Sequence, residues 1–255
     1  MLKDYLETKL KDKELLMMTH VICGYPSFEA NYKELQIMDE AGVDLVELQF
    51  PFSEPSADGP LFVKANQHSL ENGTTVDQCF EFMAKVSNDF SFKVLMMGYY
   101  NTAFVMGHES YVKRLQDSGG CGFILPDLPI EECSELHSLA KKYDQSPILL
   151  MTPTNTEKRL QQLGEHSAGF VYAVARKGVT GQKTEMDDEL AVFLKLCKKH
   201  IDVPLAVGFG ISTKEDLDYL KGKAEVAIIG TAALRAWEAG EEKALRQFFK
   251  DLGCL

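Results

Sequence analysis

No apolar run in this chain approaches the length needed to cross a bilayer, which excludes a membrane-spanning helix on hydropathy. Its opening segment, MLKDYLETKLKDKE, lacks an apolar core and carries acidic residues throughout, so no signal peptide is expected and the predicted location is cytoplasmic. Six cysteines are present, yet none forms a C-x-x-C pair and no histidine cluster stands at zinc spacing. Reduced, mostly buried thiols and no bound metal are expected. Positive charge is also scarce: 27 Lys and Arg face 38 Asp and Glu, a formal net charge of -11 over 255 residues. Such a surface disfavours nucleic acid and anionic membranes as partners. It leaves room for a phosphate ester, because backbone N–H groups at helix N-termini supply positive potential locally. No Pro-, Gly- or Ser-rich linker divides the sequence, and 45% hydrophobic residues suffice for one large α/β core, so residues 1–255 read as a single domain.

What recurs is a short apolar run, a turn and an amphipathic helix. The runs at 15–22, 43–50, 92–100, 121–128, 147–151, 168–174, 203–209 and 224–230 are too short for helices. They mostly lack polar alternation, as expected of strands buried on both faces in a parallel sheet. Helical patterns fall at 28–40, 75–86, 110–118, 131–142, 157–163, 189–200 and 214–220, with a helical tail at 241–252. Thr75 reads as one N-cap, and Ser212-Thr213-x-Glu215 as a cap before 216–220. Leu2, Leu6 and Leu10 suggest a further short amphipathic helix at the N-terminus. Eight strand-type runs alternating with helices in about this length predict a (β/α)8 TIM barrel with that extra helix. The rival doubly wound sheet would need a phosphate-binding glycine cluster after the first strand, and ICGYPSF is not G-x-G-x-x-G.

In a barrel the functional residues stand at the C-terminal ends of the strands. Glu47 lies inside an apolar strand run, a costly place for a carboxylate unless it serves a purpose or finds a partner. If the strand alternates, Glu47 points the same way as Leu45 and Gln49, either into the barrel or toward the helices. Asp58 follows in Ala57-Asp58-Gly59-Pro60, where it could also be a turn residue or the N-cap of a helix starting near Pro60. Two acids at the mouth of one strand suit a reaction with several proton transfers. Glycines recur at Gly178 and Gly181, at Gly208 and Gly210, and at Gly230 before Thr231, after the sixth, seventh and eighth runs. Glycines after strands seven and eight beside a helix start are the usual phosphate site of this fold. The polar, glycine-containing segment 176–188 reads either as a disordered loop or as a lid.

These residues carry a specific resemblance. Glu47-Leu48, Pro51-Phe52-Ser53-x-Pro55-x-Ala57-Asp58-Gly59-Pro60, Tyr99-x-Asn101, Asp127-Leu128-Pro129-x-Glu131-Glu132, Tyr172, Arg176-x-Gly178-Val179-Thr180-Gly181 and Gly208-Phe209-Gly210-Ile211 together resemble the tryptophan synthase alpha subunits over nearly the whole chain. The resemblance implies cleavage of indole-3-glycerol phosphate to indole and glyceraldehyde 3-phosphate. By it, Glu47 and Asp58 match the two catalytic carboxylates. Gly181, Gly210, Gly230 and Thr231 match phosphate-binding positions, and Tyr172, Phe209, Tyr99, Met97 and His20 line the indole pocket. The resemblance also places Arg176 and Thr180 in a lid that closes over Asp58. The chain itself would need no cofactor, pyridoxal phosphate being held by a beta subunit partnered in an αββα heterotetramer.

The sequence departs from the family pattern at Gln49 (usually Gly), Phe50, Glu54 (usually Asp), Ser56 (usually a large aliphatic residue), Gly98, and His20, where a phenylalanine is common. These changes bear on the indole pocket and on the 50–60 loop, which faces the beta subunit in the family. That loop and the 176–188 segment are expected to make few apolar contacts and to be mobile in the free subunit. One competing reading is a catalytically weak alpha-like subunit that mainly activates a beta subunit. Another phosphate-binding barrel, such as indole-3-glycerol phosphate synthase, would need an inner-strand lysine, and the strand runs carry almost none.

Overall fold

The computed structural model describes residues 1–174, 188–208 and 210–255. The strands are β1 (Leu16–Ile22), β2 (Leu45–Gln49), β3 (Lys93–Met97), β4 (Gly122–Ile124), β5 (Ser146–Met151), β6 (Val171–Val174), β7 (Leu205–Gly208) and β8 (Val226–Ile229). Each pairs in parallel with the next and β8 returns to β1, closing the barrel. The helices are α1 (Leu2–Lys9), α2 (Phe28–Glu40), α3 (Pro60–Glu71), α4 (Val76–Asp89), α5 (Tyr100–Met106), α6 (His108–Asp117), α7 (Ser134–Lys142), α8 (Glu157–Glu165), α9 (Asp188–Lys199), α10 (Lys214–Leu220) and α11 (Thr231–Asp251). Among the described residues no helix is long and apolar enough to cross a membrane, and no group of three or more His, Cys, Asp or Glu could hold a metal ion. The six cysteines are free, four buried and two half-buried.

Two apolar layers account for the strands' unbroken hydrophobicity. Inward-facing Leu16, Met18, Leu45, Leu95, Met97, Ile124, Ile148, Ala206, Val226 and Ile228 fill the barrel. Outward-facing residues such as Val21, Val46, Leu48, Val94 and Val207 pack beneath the helices. Both faces of each strand thus lose water, and polar alternation has no place. The extra N-terminal helix inserts Leu2 and Leu6 into the inner layer at the end where the strands begin. Buried Asp44 holds that end together, accepting from Lys13 Nζ at 2.8 Å and from the Met17 N–H at 3.1 Å.

Local signals fix the helix starts. Thr75 and Gln78 close a reciprocal capping box on α4, and the Ser27 hydroxyl accepts from the Ala30 N–H at the start of α2. The cap before α10 is Thr213, and its reciprocal partner is Asp216 rather than Glu215, because Asp216 occupies the third helical position. Two expected elements differ more. The run at 92–100 ends as a strand at Met97, since Tyr99 becomes the N-cap of α5. The tail helix begins at Thr231, with non-helical backbone at Gly240 and Glu241 where the expected start lay.

Candidate active site

Register places Glu47 beside His20 on β1 and Leu95 on β3, with its side chain directed into the barrel like that of Leu45. Gln49, two residues on, stands level with Ile22 and Met97. The mouth of the barrel thus receives Glu47, Gln49 and His20 from neighbouring strands, and Tyr172 enters from β6. Tyr172 fits because β7 ends in Gly208; a Cβ there would lie 2.7 Å from the Tyr172 hydroxyl.

Asp58 is not a helix cap. The N-cap of α3 is Gly59, Pro60 takes the first helical position, and the Asp58 carboxylate turns inward and is buried. Its Oδ2 accepts from Gln49 Nε2 at 2.7 Å and from Asn66 Nδ2 at 3.2 Å. Tyr99 holds the same loop, its hydroxyl accepting from the Ala57 N–H at 3.1 Å and its ring stacking on Phe52 with centroids 4.8 Å apart. Phe50 is buried against Phe80, so the 50–60 loop is anchored by apolar contacts, contrary to expectation. Two departures from the family pattern meet here: a Cβ on Gly98 would lie 3.0 Å from the Phe50 ring, so the small residue at one position relieves crowding by the large one at the other.

The electrostatics separate the two acids. Burial, reinforced by the nearby Asp58 charge, pushes the Glu47 carboxyl up to about 8. Burial also raises Asp58, but hydrogen bonds from Gln49, Asn66 and Tyr99 to the ionised form oppose it and hold the group at about 6. His20 is pushed down to about 4 by burial, against the raising effect of Gln49. Tyr172 and Tyr99 are shifted above the usual phenol range, mainly by burial and then by the acids. Near neutral pH the mouth therefore holds a protonated Glu47, an ionised Asp58 and uncharged His20 and tyrosines.

Of the expected phosphate positions, Gly210 follows β7 and Gly230 and Thr231 lead from β8 into α11. The two helix starts there differ. At α10 the Ser212 and Thr213 N–H groups are taken by Asp216 Oδ2 at 2.8 and 2.9 Å, whereas α11 has no side-chain cap. Of these two starts, that of α11 is the one whose N–H groups are capped by no side chain among the described residues. Met97 is buried in the inner layer, level with Gln49. Phe209, Gly181, Arg176 and Thr180, with the remainder of the expected lid up to residue 187, lie outside the described residues.

Sequence reasoning missed Asn66. It is fully buried on α3, and its two ends are fixed by the Phe52 N–H at 2.9 Å and the Phe62 carbonyl at 2.8 Å while it also bonds Asp58. It shares the buried face of α3 with Phe62, Ala65 and Ser69, but only two of these are apolar, so the sequence carries no clear signal for it. Phe104 and Val105 on α5 were missed as well; they are 64% and 76% exposed at the rim.

Known proteins resemble this chain in sequence and fold over nearly its whole length. The family model of the tryptophan synthase alpha chain matches residues 6–252. A tryptophan synthase alpha chain from Syntrophotalea carbinolica is 42% identical, covering 99% of this chain and all of its own. Among solved structures, tryptophan synthase from Mycobacterium tuberculosis superposes with a TM-score of 0.91 at 26% identity, covering 98% of this chain and 96% of that one. A tryptophan synthase complex from Pyrococcus furiosus, 24% identical, has the same fold with a TM-score of 0.85 over 94% of this chain and 98% of its own. On sequence and architecture together, the chain belongs to the tryptophan synthase alpha chain family.

Proposed function

We propose that this chain is a lyase that cleaves indole-3-glycerol phosphate to indole and glyceraldehyde 3-phosphate, with Glu47 and Asp58 as its catalytic residues. The observation that supports the assignment most is the divergence of two buried carboxyls at one mouth, one near 8 and the other near 6. A pair of titratable groups pushed apart in this way supplies an acid and an anion at the same pH. Protonated Glu47 delivers its proton to C3 of the indole ring. Ionised Asp58 faces the ring N–H and stabilises the positive charge that develops there. The Glu47 carboxylate then takes the proton of the C3′ hydroxyl as the C3–C3′ bond breaks and the aldehyde forms, which returns Glu47 to its starting state. Phosphate at Gly210, Gly230 and Thr231 anchors the other end of the substrate, making the proton transfers effectively intramolecular.

The cleavage draws on no cofactor of this chain. We assign pyridoxal phosphate to a beta subunit, which receives the indole for tryptophan formation in an αββα assembly. Exposed Phe104 and Val105 at the rim, close in sequence to the Tyr99 that fixes the 50–60 loop, support a protein partner on that side. The test of the catalytic assignment is indole release by Asp58→Asn and Glu47→Gln. Each is expected to lose at least about a thousandfold, some 4 kcal/mol of barrier, with the fold intact by circular dichroism. Retention of more than about a tenth of the wild-type rate by either variant removes that residue from the mechanism.

A further inference from the structure

Three buried polar atoms in the mouth have no hydrogen-bond partner among the described residues: His20 Nε2, Gln49 Oε1 and Glu47 Oε2. Their neighbours determine how they are oriented. Asn66 Oδ1 accepts from the Phe52 N–H and its Nδ2 donates to the Phe62 carbonyl, so its two ends cannot be exchanged. Gln49 must then present its amide nitrogen to Asp58 Oδ2 and to Asn66 Oδ1, at 2.7 and 3.2 Å, which leaves Oε1 turned away from both. His20 stacks on Phe62 with centroids 4.5 Å apart and an interplanar angle of 20°. Its ring is near enough to the Gln49 amide to respond to it, although neither group completes a bond of ordinary length. On its other side His20 Nδ1 is 4.0 Å from Glu47 Oε1.

One assignment of hydrogens accounts for His20 Nε2 and Gln49 Oε1 together and turns the Glu47 carboxyl, 4.0 Å away, toward Nδ1. We propose that His20 is a positioning residue that links the two acids: Glu47 donates to His20 Nδ1, His20 Nε2–H donates to Gln49 Oε1, and Gln49 Nε2–H donates to Asp58 Oδ2. A lone pair at Nδ1 favours the protonated form of Glu47, while the donor chain through Gln49 favours ionised Asp58. No proton moves along the row; it biases each acid toward the state it needs before substrate arrives. The other titratable groups facing the acids among the described residues are Tyr99 and Tyr172, both neutral across the working range, and Phe62 behind the ring is apolar. The consequence for catalysis rests on the cleavage reading above, whereas the row itself is a property of the free protein.

Two measurements test it. Nitrogen-15 NMR of histidine-labelled free protein should show His20 as the neutral Nε2–H tautomer with a hydrogen-bonded Nδ1; a proton on Nδ1, or a charged ring at neutral pH, overturns the proposal. The second is a kinetic cycle with His20→Phe and Gln49→Gly. Each single change breaks the row and should lower kcat roughly tenfold with little change in KM, and because both act through the same row the double variant should lose no more than the worse single variant. His20→Phe should also move the acidic limb of the rate profile to higher pH, because Asp58 loses support through Gln49; a purely structural role would leave that limb in place. Additive losses, neutral single variants or an unmoved limb count against the row. Failure of the wild-type protein to cleave substrate would instead sink the cleavage reading, and the tautomer measurement would still decide the row.

Discussion

Glu47 is kept neutral by its surroundings, and that state has a measurable cost. Below about pH 4.5, the ordinary value for this group, Glu47 carries its proton in folded and unfolded chains alike. Between there and about 8 the unfolded chain ionises while the folded one keeps its proton, so stability falls steadily as pH rises through this window. Above it both forms are ionised and the loss is complete. Glu47→Gln removes the contribution, which is on the order of a few kcal/mol. The variant's gain in Tm over wild type should therefore grow from pH 5 to 8 and then level off. Glu34 on α2, raised to about 8 by burial, is present in both proteins and cancels in the comparison. The activity of the wild type should follow a bell, falling below about 6 as Asp58 protonates and above about 8 as Glu47 ionises. A gain in Tm independent of pH would show that Glu47 is not stored as a neutral acid. Glu47 was legible in the sequence because an acid inside an apolar strand is anomalous on composition alone, whereas Asp58, in a loop, stood out only through the motif around it. Asn66 was not legible, since one amide in a helix attracts no notice until the burial of its neighbours is known.

At the scale of elements, the strands could be read because burial on both faces leaves them continuously apolar, but their ends were read too long. Tyr99 and Tyr100 extend the apolar run of β3 by composition, while the backbone leaves the sheet at Gly98 and α5 begins, its first N–H at Tyr100 accepted by Asp127 at 2.9 Å from the β4 side of the barrel. A helix start held by a residue 27 positions away leaves no local trace. The proposed phosphate loops behave differently, because glycine marks them directly. Gly210 has φ of +84°, in the left-handed region where a side chain is strained. Gly210→Val should raise KM for the phosphorylated substrate more than it lowers kcat, since phosphate contacts are made in ground and transition states alike. It should also weaken competitive inhibition by glycerol phosphate. Unchanged KM and inhibition would place the phosphate elsewhere.

For the whole molecule, eight repeats of one rhythm made the barrel legible, while the proposed partner surface depends on residues far apart in the chain. The 50–60 loop has two sides. Phe50, Pro55 and Asp58 are buried and tied to the barrel, while Glu54 and Ser56 face solvent. A protein docking on Glu54, Ser56, Phe104 and Val105 would press on a loop whose inner side carries Asp58, and so reach the proposed active site without touching it. Adding a cognate beta subunit should therefore raise the cleavage rate by one to two orders of magnitude, a coupling of about 1.4–2.7 kcal/mol. Because Glu54 and Ser56 depart from the family's usual residues, a beta subunit from another source should activate less. Changing Glu54→Asp and Ser56→Leu together should recover part of the difference. Phe104→Asp, which puts a charge into the exposed apolar patch, should lower the ratio of activated to basal rate with either partner. Equal activation by native and foreign beta subunits would show that Glu54 and Ser56 do not tune partner choice. An activation ratio unchanged by Phe104→Asp would place the partner on another face. With no activation by either beta subunit, the anchored loop would already hold Asp58 in its working position, and the chain would act alone.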